Sequence, residues 1–163
     1  SKDFPMDIKG KTFTFGSKGS TSGRLMPEFH IRKELGDAPE KVFSRVGFSG
    51  DHSRTIALVQ SGAYEVGATN YAVWDNEVKA GTVDTSKVRI IWKTPTYPDY
   101  QWTIRGDVSK KFGDGFKEKV TQALLGMDDK DLLASFPRKS FVPASNDDYQ
   151  PIVDTGKSIG LID

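Results

Sequence analysis

Residues 11–16 (KTFTFG) alternate polar and aromatic positions, the period-two pattern of a strand. A Gly/Ser/Thr loop follows over residues 16–23. Leu25, Met26, Phe29 and Leu35 then recur at near-helical spacing, and Gly36 suits the helix end. Pro27 is tolerable only near the first turns, where it bends the helix if it sits further in. Residues 42–48 read as a second strand. Ile56, Ala57, Val59 and Gly62 describe a short helix with a glycine stop. A short buried strand is expected over 65–69 (EVGAT), a helix over 71–78, and strands over 88–92 (VRIIW) and 101–105 (QWTIR), separated by the stiff segment 94–100 (TPTYPDY).

After Asp107 the pattern changes. Phe112, Phe116, Val120, Leu124 and Leu125 mark one amphipathic helix. Residues 130–136 read as a short helix, and 144–160 as a helical tail capped by Ser145. Alternating strands and helices from 11 to 93 predict an α/β fold with a parallel or mixed sheet flanked by helices. Ligands of such sheets sit beyond the carboxyl ends of the strands, where helices begin. Two loops here are junctions of that kind, 19–23 and 49–52.

Composition narrows the chemistry. With 36% hydrophobic and 28% charged residues among 163, the chain reads as globular and able to bury a core. A net charge of +1, with both signs interspersed, gives no broad basic face and argues against nucleic acid as a partner. A small anion held at one local site remains compatible with that balance. There is no cysteine, which excludes disulfides, thiolate metal sites and thiol nucleophiles. His30 and His52 alone do not make a metal cluster, so no metal or other cofactor is expected. Trp74, Trp92 and Trp102 read as core or hinge packing, and Lys110, Lys111, Lys117 and Lys119 as a solvated helix face.

Three segments carry candidate chemistry. In Gly19-Ser20-Thr21-Ser22-Gly23, three consecutive hydroxyls precede a helix whose first N–H groups and positive dipole end suit an oxyanion. The flanking glycines let backbone approach a ligand closely. The plain alternative is an ordinary Ser/Thr helix cap. The Lys-Ser/Thr pair of a P-loop is missing. In Ser49-Gly50-Asp51-His52 the histidine falls in the first turn of a helix. It is either a donor to an anion at the same sheet edge or a surface histidine beside a cap. In Thr94-Pro95-Thr96-Tyr97-Pro98-Asp99-Tyr100 two prolines stiffen the chain around Asp99. An ionised carboxylate only accepts, so Asp99 would suit an anion that carries a proton and reject one without, such as sulfate. The alternative is an Asx-type turn.

These three segments, in this order, resemble the phosphonate-binding family of periplasmic solute-binding proteins that serve ABC importers. The resembling text is KGKTFTFGSKGSTSGRLMP, FSGDHSRTIALVQSGAYEVGATNYAVWD, VRIIWKTPTYPDYQWTIRGDV and FVPASNDDYQPI, covering residues 8 to 155. The resemblance implies one lobe of a periplasmic-binding-protein-like fold with a C-terminal helical return segment. It implies that Ser20, Thr21 and Ser22 hold phosphonate oxygens, that His52 donates to them and that Asp99 accepts from the ligand. Members selecting aminoalkyl phosphonates carry a Glu where this chain has Ala72, which argues for phosphite, methylphosphonate or a similar small anion. Tyr71 would close the pocket instead.

The resemblance also implies a chain about twice as long, with an N-terminal lobe of roughly one hundred residues before Ser1. Ser1-Lys2-Asp3-Phe4 reads as an internal start with no signal peptide. Residues 5–93 are then the second, anion-binding lobe, 94–105 the crossing segment, and 106–163 the return segment that normally packs on the first lobe. Without that lobe the return helix must pack back or pair with another chain in a dimer or swapped assembly. The expected partners are a small phosphonate- or phosphite-like anion and the permease subunits of the importer. The expected location is periplasmic, or extracellular and membrane-anchored. Two further functions fit the same text: a ligand-sensing domain of a signalling protein, and an enzyme acting on phosphate esters. The latter finds neither a metal cluster nor an activated nucleophile in the sequence.

Overall fold

The strand expected at 11–16 forms as β1 (Thr12–Phe15), the middle strand of a three-stranded sheet in the order β2-β1-β3. The computed structural model describes residues 3–136 and 138–163. β2 is Arg45–Phe48 and β3 is Val66–Gly67. Both pair with β1 in parallel, Phe13 opposite Val46 on one side and Val66 on the other. The sheet expected as parallel or mixed is thus parallel.

Alternation in KTFTFG suggests one wet face, yet Thr14 is 0% exposed, as buried as its aromatic neighbours. The reason is coverage on both faces, which parallel sheets require. On one face Phe13 and Phe15 join Ile31 and Leu35 of α1 (Met26–Leu35), with Phe4, Ile8, Val42 and Phe43. Each such aromatic contributes about 1.5–3 kcal/mol by leaving water. On the other face α3 (His52–Gln60) packs against β3. A Cβ on Gly67 would meet Thr55 Cγ2 at 2.7 Å, Val59 Cγ2 at 3.1 Å and Thr14 Cγ2 at 3.2 Å, so only glycine lets that helix come so close. The Thr14 hydroxyl is satisfied by the Phe15 carbonyl at 3.0 Å.

Pro27 sits in the first turn of α1, and the Gly23 carbonyl four residues back, which it cannot serve, accepts instead from the Gly16 N–H. One π-helical turn, Thr21–Leu25, precedes it. Gly36 ends α1 at φ 84°, its N–H bonded to the Arg32 carbonyl at 3.0 Å. Glu28 of α1 is 3% exposed. It accepts from Arg24 Nε at 3.1 Å and from Arg32 Nη2 at 2.7 Å. Arg24 also donates to the Lys18 carbonyl at 3.2 Å. A buried carboxylate stands only when paired and bonded in this way, and the pairing clamps the loop from Lys18 to Arg24 onto α1.

Several elements differ from expectation. Residues 42–48 divide into a helical turn, α2 (Pro39–Val42), and β2. The strand expected over 65–69 shortens to two residues. Residues 88–92 and 101–105 are not strands. A β-branched run can extend, but a strand exists only where a sheet edge supplies partners. Trp92 nevertheless packs on the core, edge-on to Phe4 at 5.1 Å and to His30 at 5.2 Å. The helix expected from 71 forms as α4 (Tyr71–Lys79).

The chain divides into two compact units, one of Ser1–Thr96 with Ile152–Asp163 and one of Tyr97–Pro151. In the second, the single amphipathic helix expected from Phe112 to Leu125 is two, α5 (Val108–Phe112) and α6 (Phe116–Leu125). Gly113 at φ 87° and Gly115 at φ 81° break it, and Phe112 stacks on Phe116 across the break at 4.6 Å. α7 is Lys130–Ala134. Ser145 precedes a 3-10 turn, Asn146–Tyr149, and its N–H donates to the Asp148 carboxylate at 2.6 Å. α8 (Gln150–Ser158) follows directly.

Candidate functional site

Three strand-to-helix junctions, one more than the sequence pattern suggests, meet at the carboxyl edge of the sheet. The first leaves β1. Ser20 is the cap of the turn Thr21–Leu25, with extended backbone (φ −79°, ψ 130°), and its Oγ accepts from the Gly23 N–H at 2.9 Å. That bond leaves the Thr21 and Ser22 N–H groups, the first two of the turn, without an intrahelical acceptor. The Gly16 N–H donates to the Gly23 carbonyl at 2.8 Å, so the loop closes on the end of its own strand.

The second junction leaves β2. Ser49 N–H donates to the Phe15 carbonyl at 2.9 Å, and Gly50 turns the chain at φ 96°. Asp51 caps α3 by accepting from Arg54 N–H at 2.7 Å. Ser49 Oγ bonds the Asp51 carbonyl and Thr55 Oγ1, each at 2.7 Å. These bonds fix the first turn of α3 and with it His52.

The third junction leaves β3 through Thr69 and Asn70. Asn70 caps α4, its Oδ1 accepting from Ala72 N–H at 2.8 Å. Its backbone N–H donates to His52 Nδ1 at 3.2 Å, and its Nδ2 lies 3.4 Å from Ser22 Oγ. His52 Nε2 lies 3.5 Å from the same Ser22 Oγ. Since Nδ1 accepts, the ring proton of neutral His52 is on Nε2. Burial holds the His52 pKa below its ordinary value of 6.5, and the nearby Asp51 charge only partly opposes this.

That direction has a consequence for stability. The folded state favours neutral His52, while the unfolded chain takes up a proton near the ordinary value. The resulting stabilisation is complete above about pH 6.5 and is lost as pH falls through the lowered folded value. His30 shifts the same way, again chiefly by burial. Denaturant midpoints are expected to fall on acidification through that window, and less steeply in a His52→Asn variant. Identical pH profiles for the two proteins would contradict this.

Of the six residues singled out in the sequence, the structure brings Ser20, Thr21, Ser22 and His52 together, with Tyr71 as the first residue of α4, next to Asn70 and 61% exposed. Asp99 belongs to the second unit. There it accepts from Arg138 Nη2 at 2.9 Å, from Arg138 Nε, and from Tyr100 N–H at 2.8 Å. The Arg138 guanidinium holds its carboxyl below the usual range. Asn70 escaped the sequence reading, and Ser49 entered it only as part of the junction Ser49–His52, without its bonds to Asp51 and Thr55. The available signal for Asn70 was its place: a cap residue between a short strand and a helix start, the third junction of its kind. Among the described residues no group of three or more His, Cys, Asp or Glu could hold a metal ion, and no helix is long and apolar enough to cross a membrane.

With this geometry in view, residues 3–149 match the family model described as ABC transporter, phosphonate, periplasmic substrate-binding protein. The chain is 39% identical over 160 residues to the probable ABC transporter phosphite binding protein PhnD1 of Prochlorococcus marinus (strain MIT 9301), covering 95% of this chain and 54% of that protein. It is similar to the solved structure of PhnD1 from Prochlorococcus marinus (MIT 9301) in complex with methylphosphonate. The TM-score is 0.87 and the identity 39%, over 96% of this chain and 59% of that one. The chain therefore spans about half the length of that curated relative.

Proposed function

The chain belongs to the phosphonate-type periplasmic substrate-binding family of ABC transporters, and from that premise we propose that it captures a small phosphorus oxyanion, a phosphonate, phosphite or phosphate, for uptake by a permease. The observation that carries the reading is the convergence of Ser20, Thr21, Ser22 and His52 at one sheet edge, all within the hydrogen-bonded frame set by Gly23 and Asn70. Hydroxyls and two N–H groups without intrahelical acceptors make a set of donors, with the His52 Nε2–H behind the Ser22 hydroxyl, which is what anionic oxygens need.

Asp99, in the second unit, is proposed separately as an acceptor for a ligand proton. Two Arg138 N–H groups and the Tyr100 N–H occupy three of its four lone-pair positions. The remaining one accepts from a P–OH group. Tyr71, exposed at the start of α4, closes over the ligand, and Ala72 leaves no carboxylate for a ligand amine. The work of the chain is binding and delivery, without turnover, in the periplasm or at the outer face of a membrane. Its partners are the transmembrane subunits of the importer. Residues 5–93 serve as the anion-binding lobe, 94–105 as the crossing segment and 106–163 as the return segment. The apolar stripe of Phe112, Phe116, Val120 and Leu124 is offered to a second copy in a dimer or swapped assembly, which light scattering tests.

Calorimetry tests the central reading. Methylphosphonate, phosphite and phosphate are titrated into the protein, with sulfate as the unprotonated control. Saturable heat with at least one phosphorus oxyanion, and none with sulfate, is expected. No heat with any of them removes the proposal.

A further inference from the structure

We infer that Asn70 is a positioning residue for this site: it fixes His52 as an Nε2–H donor, fills one acceptor position of Ser22 Oγ, and so leaves the Ser22 proton for the ligand. The inference rests on the phosphorus-oxyanion reading above and deepens it. The orientation of the Asn70 amide is set by its capping role. Its oxygen accepts from Ala72 N–H at 2.8 Å, so its nitrogen faces Ser22 Oγ at 3.4 Å. The Asn70 backbone N–H donates to His52 Nδ1 at 3.2 Å. Neutral imidazole has one donor and one acceptor, so Nε2 carries the proton and donates to Ser22 Oγ, 3.5 Å away.

A serine hydroxyl has two acceptor positions and one proton. In this arrangement Asn70 and His52 occupy both acceptor positions. Ser22 is then forced to donate, and the polarity of the cluster runs outward, from Asn70 through His52 and Ser22 to the bound anion. Neighbouring donors that polarise one another strengthen the last bond of such a chain. The same polarity makes this wall of the site hostile to a protonated oxygen, which would present a donor to a donor. A ligand proton is thereby directed away from the hydroxyl loop.

The test has two independent parts. In ligand-free protein, the imidazole nitrogen shifts of His52 read the tautomer directly. Protonation on Nε2 is expected, and protonation on Nδ1 overturns the inference whether or not any ligand binds. In the second part, methylphosphonate affinity is compared for wild type, Asn70→Ser and Asn70→Asp. Both substitutions retain a capping oxygen. Asn70→Ser removes one donor to Ser22 and is expected to weaken binding about tenfold. Asn70→Asp places an acceptor carboxylate beside Ser22, which captures the hydroxyl proton and repels the anion. The expected loss exceeds about a hundredfold near pH 8 and shrinks, relative to wild type at the same pH, as the introduced carboxylate protonates. A residue that only capped α4 would give small, equal losses and a flat pH ratio, and that result overturns the inference. If wild type binds no methylphosphonate, the functional reading fails, and the His52 tautomer alone decides the role of Asn70.

Discussion

A Gly23→Ala variant is expected to lose at least about a hundredfold in methylphosphonate affinity, equivalent to ~2.8 kcal/mol, and about 1–3 kcal/mol of stability. The reason is steric. A Cβ at this position would lie 2.9 Å from Ser20 Oγ, 3.2 Å from Gly16 Cα and 3.2 Å from His52 Cε1. Two of those neighbours are side chains of the candidate site and the third is the backbone of the central strand's end. None can yield without moving a donor. Ser20 would surrender its cap of the Gly23 N–H, and Gly16 its bond to the Gly23 carbonyl. Because Gly23 does not have positive φ, the cost arises from crowding rather than from backbone preference. Gly19→Ala is the matching control, since a Cβ there meets nothing within 4 Å. Wild-type affinity in Gly23→Ala, or equal losses in both variants, would detach this loop from ligand binding.

Asp99→Asn carries the second large effect, on selectivity. The Arg138 guanidinium keeps the Asp99 carboxyl ionised at neutral pH, so it offers only lone pairs. An asparagine there retains a carbonyl but adds an NH2 donor. Affinity for oxyanions carrying a P–OH is expected to fall by about tenfold to a hundredfold, while sulfate, which the wild type is expected to reject for want of a proton, gains. Ser20→Ala and Ser22→Ala should instead weaken all oxyanions together, because these hydroxyls are general donors. Competition between sulfate and methylphosphonate reads the difference. An unchanged ratio in Asp99→Asn would remove Asp99 from ligand recognition.

What was legible in the sequence follows local rules. β1, the helix after Pro27 and the first turn holding His52 were all readable from periodicity, a glycine stop and a cap. The hydroxyl loop was readable as a helix start. Other features depend on partners far along the chain. Residues 88–92 have the composition of a strand, but Ile90 and Ile91 are 38% and 45% exposed and only Trp92 turns into the core. No local pattern reports whether a sheet edge is available. The break between α5 and α6 lay in plain view at Gly113 and Gly115, yet the apolar spacing across it stayed in phase and masked it. Asn70 was hidden for a different reason. Its backbone and both side-chain atoms act on three separate partners, His52, Ser22 and Ala72, and such convergence exists only once β1, β2 and β3 lie side by side.

The central claim is that a phosphorus oxyanion is held by the loop after β1 together with His52. The most direct measurement is a titration of isotope-labelled protein with methylphosphonate, following the amide signals of Thr21 and Ser22 and the imidazole of His52. The account predicts saturable shifts at these groups, with one shared dissociation constant, and none with sulfate at the same concentrations. Shifts that do not saturate, or that centre on residues outside the three junctions, would contradict it.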